Sequence, residues 1–141
     1  MQWLFEQDSI DWAALSELYR IAPLGEKKPG DLQRAFSNSM YKCFVFDAET
    51  LVGAGRAIAD GVDCAYLCDV AVHPRLQGQG LGGAIIDRLV ELSAGHRKII
   101  LYANPGTEGF YRKRRFRRMR TAMAIFADQE SAIRRGLLDG D

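Results

Sequence analysis

Between His73 and Leu89 the sequence reads HPRLQGQGLGGAIIDRL, which sets four glycines, Gly78, Gly80, Gly82 and Gly83, before an apolar stretch with helical spacing. The first turn of a helix exposes unpaired N–H groups and a partial positive charge, so it attracts anions. Glycine removes the side chains that would keep a ligand off those donors. Each glycine costs about 0.5–1 kcal/mol inside a helix, so the crowding points to a pyrophosphate seated on the backbone. A tight strand-to-helix turn with close helix packing is the structural alternative. The spacing GxGxG is too short for the dinucleotide fingerprint GxGxxG, and no Gly-Lys-Ser/Thr follows. The turn therefore suits a diphosphate outside the usual settings of NAD or ATP.

A second concentration of chemistry lies between Arg112 and Arg120, where RKRRFRRMR carries seven cations and no acid. The net charge is only +1, so the rest of the chain stands near −6 and no global field calls for nucleic acid or a membrane. The run itself reads as an anion site, a solvated helix face and strand edge, or, with Phe116 interleaved, a nucleic-acid contact. No recognition helix or stacking platform accompanies it, so nucleic acid is set aside as a partner. Cys43, Cys64 and Cys68 are odd in number, form no CxxC pair and have only two histidines beside them. They read as reduced thiols of a cytoplasmic protein, without a metal site. The start, MQWLFEQDSIDW, lacks the basic-then-apolar pattern of a signal peptide. No apolar run is long enough to span a bilayer.

These residues must be positioned by the elements around them. At 141 residues, with 48% hydrophobic and 26% charged side chains, the chain is expected to form a single domain over 1–141. Asp8 or Ser9 is the expected cap of a helix through Ile21, with Trp12, Leu15, Leu18 and Tyr19 on one face. Asp31 is the expected cap of a second helix through Phe36. CFVFD and LVGAGRAIA read as strands about a turn at Asp47 to Thr50, and AYLCDVAVH as a third strand. After the glycine turn, a helix runs from about Leu81 to Ala94 and stops at Gly95. KIILYA is a buried strand, TEGFYRKRR a short helix capped by Thr107, and MRTAMAIF a last strand. Residues 127–141 form a weakly amphipathic extension. The order predicts an α/β fold with a mixed, largely antiparallel sheet and helices on both faces.

Asp69-Val70-Ala71-Val72-His73-Pro74, followed by Gln77-Gly78-Gln79-Gly80-Leu81-Gly82, resembles the acetyl-CoA signature of the GCN5-related N-acetyltransferase (GNAT) superfamily, Gln/Arg-x-x-Gly-x-Gly/Ala. Asn104, Phe110-Tyr111 and Arg115-Phe116 are similar to its later motif, except that Arg115 stands where the family usually has glycine. The likeness covers about residues 51–126, and within the superfamily it is nearest to small-amine enzymes of the arylalkylamine and glucosamine-phosphate kind.

The resemblance implies transfer of acetyl from acetyl-CoA to a primary amine of a small molecule in a ternary complex, without a metal, by a chain that can form a homodimer. A protein lysine or N-terminal acetyltransferase, and a CoA-binding module without turnover, are the alternatives. Gln77 to Gly83 would hold the pyrophosphate. Val70, Ala71 and Val72 would pair with the pantetheine arm as an added strand does, and the Val70 or Ala71 N–H would polarise the thioester carbonyl. Asn104 would bond the pantetheine amides, unless it serves only as a turn residue before Pro105. Lys113 and Arg114, with Arg117, would read the 3′-phosphate. Tyr111 would protonate the leaving thiolate, since a phenol near ~10 can supply a thiol near ~8.5 at neutral pH. Alternation places Tyr66, Cys68 and Val70 on one face of the strand and Asp69 and Ala71 on the other, unless a bulge intervenes. Related arylalkylamine enzymes carry a histidine relay at the positions of Tyr66 and Cys68, so Asp69, as carboxylate or through its carbonyl, and a water chain are the candidates for handling the amine proton. Asp69 paired with Arg56 is the structural alternative. Phe36, Tyr41, Tyr66 and Cys68 are the expected acceptor-side residues.

Overall fold

In the computed structural model, which describes residues 1–141, the first helix is capped by Asp11, whose carboxylate accepts the Ala13 and Ala14 N–H groups. Helix α1 is Trp12–Ile21. Its cap lies beyond the expected Asp8 or Ser9 because Ile10 is still in a turn, donating to the Gln7 carbonyl. Helix α2 is Pro29–Ser37. It starts ahead of Asp31 because Pro29 takes the first helical position, where a missing N–H costs nothing.

Five strands lie side by side in chain order: β1 Gln2–Leu4, β2 Tyr41–Asp47, β3 Thr50–Ala59, β4 Cys64–Val72 and β5 Lys98–Ile100. The first three pairings are antiparallel, joined where short turns permit it. The fourth is parallel, and helix α3, Leu81–Leu92, makes the crossover such a pairing needs. β1 has no counterpart in the sequence reading, because three residues are too few to show a period.

Alternation along β3 separates the layers. Gly53 and Gly55 face α3, where an added Cβ would lie 2.9 Å from Ile85 in each case. Between them Ala54 faces the other way, into a core with Leu15, Leu18 and Tyr19 of α1, Leu32 and Phe36 of α2, and Phe44 of β2. Helices thus cover both faces of the sheet. No helix is long and apolar enough to cross a membrane.

The chain divides into two compact units, Met1–Leu101 and Tyr102–Asp141, and the division falls inside the 51–126 stretch. The second unit contains two short helices, α4 Glu108–Arg112 and α5 Gln129–Arg134. The strand expected at MRTAMAIF does not form. Met123 and Ile125 are 99% and 95% exposed, so the alternation there has no buried face, and without a partner edge an extended segment is not a strand. Nor does the Thr107 side chain cap α4. Its hydroxyl donates to the Asn104 carbonyl instead, at 2.7 Å.

Candidate active site

The glycine turn is built in two parts. Gly78 and Gly80 sit at φ +78° and +92°, a region that costs other L-residues about 1–2 kcal/mol. A Cβ on either would meet nothing within 4 Å, so the approach is open as well as bent. Gly82 lies against Val72, 3.5 Å from where its Cβ would be, and Gly83, in the first turn of α3, is buried. The first bond of the helix runs from the Ala84 N–H to the Gly80 carbonyl at 3.0 Å. The N–H groups of Leu81, Gly82 and Gly83 precede it and have no partner within the helix. Open space, positive φ and unpaired donors fit a diphosphate.

Gln77 departs from its expected part. Its N–H donates to the Pro74 carbonyl at 3.3 Å and is therefore spent. Its side chain is a latch, donating to the Ala22 carbonyl at 2.8 Å and to that of Val72 at 2.9 Å, which ties the turn to the ends of α1 and β4. The Gln79 side chain holds the Arg75 carbonyl at 3.0 Å.

Upstream, β4 contains a bulge. Ala54 pairs with Ala71 and Arg56 with Cys68, so Asp69 and Val70 together oppose Gly55. Asp69 adopts φ +55°, the left-handed geometry that absorbs an extra residue. The expected alternation is therefore broken. Cys68, Asp69 and Ala71 share the α1 and α2 side, and Val70 turns to the α3 side, where its Cγ2 lies 3.2 Å from the position of a Cβ on Gly55. β5 pairs with β4 only over Cys64–Tyr66. From there to Val72, β4 has no β5 partner, which leaves an edge that an extended amide-bearing chain can join.

Asp69 is tethered at both ends. Its carboxylate accepts from Arg56 Nε at 2.8 Å and lies 3.8 Å from Lys27 Nζ, and its carbonyl accepts from Tyr19 Oη at 2.6 Å. Arg56 also donates to Ser39 Oγ at 3.1 Å. Beside this cluster opens a cavity of about 310 Å3, lined by Leu32, Ala35 and six charged side chains, Glu26, Lys27, Lys28, Asp31, Arg56 and Asp69. No aromatic ring lines it. Phe36 is wholly buried, stacked on Phe44 at 5.2 Å, and is corrected from acceptor wall to core. Tyr41 packs edge-on against His96 at 6.1 Å. Tyr66 and Cys68 are partly exposed on β4 but do not line this cavity. Burial pushes the Cys68 thiol up to about 11, so it is not a nucleophile at neutral pH.

In the second unit the Asn104 carbonyl accepts both the N–H and the hydroxyl of Thr107, at 3.0 and 2.7 Å. That turn does not employ the Asn104 side-chain amide. Tyr111 lies in α4, edge-on to Phe110 at 5.0 Å and to Phe116 at 6.1 Å, and burial raises its phenol above the ordinary value. The basic run is partly neutralised, since Glu108 pairs with Arg118 at 2.6 Å and Arg112 at 3.5 Å. Arg114 covers the Phe110 ring at 5.0 Å, and Lys113 is exposed.

Arg115 takes φ +74°, which explains why glycine suits the position. Releasing that strain, against glycine's own entropy cost, gives an expected gain of about 0.5–1 kcal/mol for Arg115→Gly. Urea unfolding should show a higher midpoint at unchanged slope. An equal or lower midpoint refutes the strain argument.

A family model described as the acetyltransferase (GNAT) family matches residues 8–116. The chloroplastic serotonin N-acetyltransferase 2 of Oryza sativa subsp. japonica is 36% identical over 109 residues, 73% of this chain and 54% of that protein. An uncharacterized ycf52-like N-acetyltransferase of Prochlorococcus marinus is 28% identical over 109 residues, 73% of this chain and 61% of its own length. The chain thus spans a little over half the length of these curated relatives. Among solved structures, a GNAT family acetyltransferase of Streptococcus pneumoniae superposes with a TM-score of 0.73 at 21% identity, over 89% of this chain and 99% of that one, a likeness of fold.

Proposed function

Because the chain belongs to the acetyltransferase (GNAT) family, we propose that it transfers the acetyl group of acetyl-CoA to a primary amine of a small molecule, by direct attack in a ternary complex. The observation that carries this reading is the open, positively curved turn at Gly78 and Gly80, at the end of the strand that holds the Asp69 bulge. Acetyl-CoA supplies the activated acyl group as a thioester. The N–H groups of Leu81, Gly82 and Gly83 hold the diphosphate, and the β4 edge at Val70 to Val72 aligns the extended arm. At the bulge, the Val70 or Ala71 N–H polarises the carbonyl that attack makes negative.

Asp69 is engaged by Arg56 and Lys27, so we give it the task of shaping the acceptor end and assign removal of the amine proton to water in contact with bulk. Asn104 and Tyr111 enter on their motif spacing, Asn104 on the arm and Tyr111 as proton donor to the departing sulfur. Lys113 and Arg114 are assigned to the 3′-phosphate. The free thiols at Cys43, Cys64 and Cys68 support a reducing, cytoplasmic setting.

The cavity beside Asp69 favours a charged, polar amine over an arylalkylamine, because six charged side chains line it and no ring offers stacking. Thiol release from acetyl-CoA, measured across polyamines, amino acids, arylalkylamines and lysine-bearing peptides, tests this. Turnover with small charged amines is expected, at a kcat/KM at least tenfold above that for the arylalkylamines. Turnover with peptides alone would move the reading to a protein acetyltransferase, and CoA binding without turnover on any acceptor would leave a binding module.

A further inference from the structure

Tyr19 is wholly buried in α1, yet its phenol is not idle. It donates at 2.6 Å to the main-chain carbonyl of Asp69, fifty residues away in sequence. That carbonyl belongs to the bulge residue, at φ +55°, where the strand leaves regular pairing. A carbonyl turned out of the ladder needs another partner when buried, and Tyr19 is that partner.

The consequence follows from peptide geometry. The Asp69 carbonyl and the Val70 N–H belong to one planar trans unit, in which oxygen and hydrogen point in opposite directions. Fixing the oxygen against Tyr19 fixes the N–H away from it. The Asp69 side chain is anchored independently by Arg56 and Lys27, whereas the Tyr19 bond acts directly on this peptide plane. We propose that Tyr19 is a positioning residue for acyl transfer, which holds the Asp69 carbonyl and thereby aims the Val70 N–H at the thioester oxygen. The proposal rests on the acetyl-CoA reading above and specifies which bulge donor acts. Burial, together with the nearby Asp69 charge, raises the Tyr19 phenol well above its ordinary range, so it remains a donor at every working pH.

The test needs no acceptor. Acetyl-CoA carrying a 13C carbonyl is bound to the wild type, to Tyr19→Phe and to Leu15→Ala, and the thioester carbonyl stretch is read by difference infrared spectroscopy. Tyr19→Phe keeps the ring and its packing. Leu15→Ala removes a wholly buried side chain from the same helix and leaves the phenol. In the wild type the band should lie below that of free acetyl-CoA. In Tyr19→Phe at least half of that displacement should vanish, with the CoA Kd within threefold of wild type, while Leu15→Ala keeps the displacement. An unchanged band in Tyr19→Phe, or equal loss in Leu15→Ala, overturns the positioning role. Failure of the wild type to bind acetyl-CoA would overturn the underlying reading instead, so the two failures are distinct. With an acceptor from the amine panel, Tyr19→Phe should also lower kcat about tenfold and leave the acetyl-CoA KM within threefold, since an ill-aimed donor is lost mainly in the transition state.

Discussion

Gly80→Val abolishes the rise in melting temperature that millimolar CoA gives the wild-type chain, while Gly95→Val retains it. A ligand that binds only the folded state stabilises it by about 2.7 kcal/mol at a hundred times its Kd, which is a shift of several degrees. Gly80 is the N-cap residue of α3 at φ +92°, and its missing side chain leaves the approach clear. A branched side chain there occupies the space over the helix N–H groups. It also strains the backbone by about 1–2 kcal/mol or more, so a lower melting temperature alone would prove nothing. Gly95 separates the two effects. It lies beyond the other end of the same helix at φ +100°, again with nothing within 4 Å of a Cβ, and valine there is strained in the same way without approaching the anion site. A CoA shift that survives in Gly80→Val, or disappears in both variants, removes the turn from the binding site. A wild-type melting curve unmoved by millimolar CoA removes the cofactor.

Tyr111→Phe lowers kcat by roughly 10²–10⁴-fold, with the acetyl-CoA Kd within a few-fold of wild type. The ring packs edge-on between Phe110 and Phe116, and phenylalanine preserves those contacts, so stability should change little. The pH dependence has a definite sign. An acid must be protonated to act, and burial raises this phenol above its ordinary value of 10.0. The rate should therefore hold through neutral pH and fall only above about pH 10, and Tyr111→Phe should lack that limb. Raising the phenol also weakens it as a donor, which narrows its advantage over water. A kcat within threefold of wild type, with the limb unchanged and chemistry rate-limiting, would return Tyr111 to a packing role and leave solvent as the proton source.

Much of the layout is legible without coordinates because it depends on neighbours in the chain. The turn at Asp47 to Thr50 joins strands whose apolar residues alternate, and antiparallel pairing of these adjacent strands follows. Gly78 and Gly80 announce a backbone that other residues would strain. Gly95 marks a stop for the same reason, at φ +100°. Arg115 stands where glycine is expected, and its strain at φ +74° shows only in the folded backbone. The cap of α1 falls at Asp11 rather than at Asp8 or Ser9, since several capping side chains close together compete locally and the winner depends on where the first packed turn begins.

The hairpins, the glycine turn and the helix that follows are written into short stretches of chain, because φ preferences, side-chain caps and apolar periods act over a few residues. Which groups meet is settled by the folded chain. Nothing in the residue types announces the bulge at Asp69, since an aspartate in the left-handed region looks like any strand aspartate until Arg56, Lys27 and Tyr19 converge on it. Gln77 reads as part of a ligand motif but spends its amide on the Ala22 carbonyl, 55 residues away. Phe36 could have walled a pocket, and it became core because Phe44 and Trp12 closed over it. MRTAMAIF has a strand's alternation but no edge to join. Each of these outcomes turns on a partner distant in sequence, and a burial or hydrogen bond of that kind has no energy until the chain has folded far enough to bring the partner into contact.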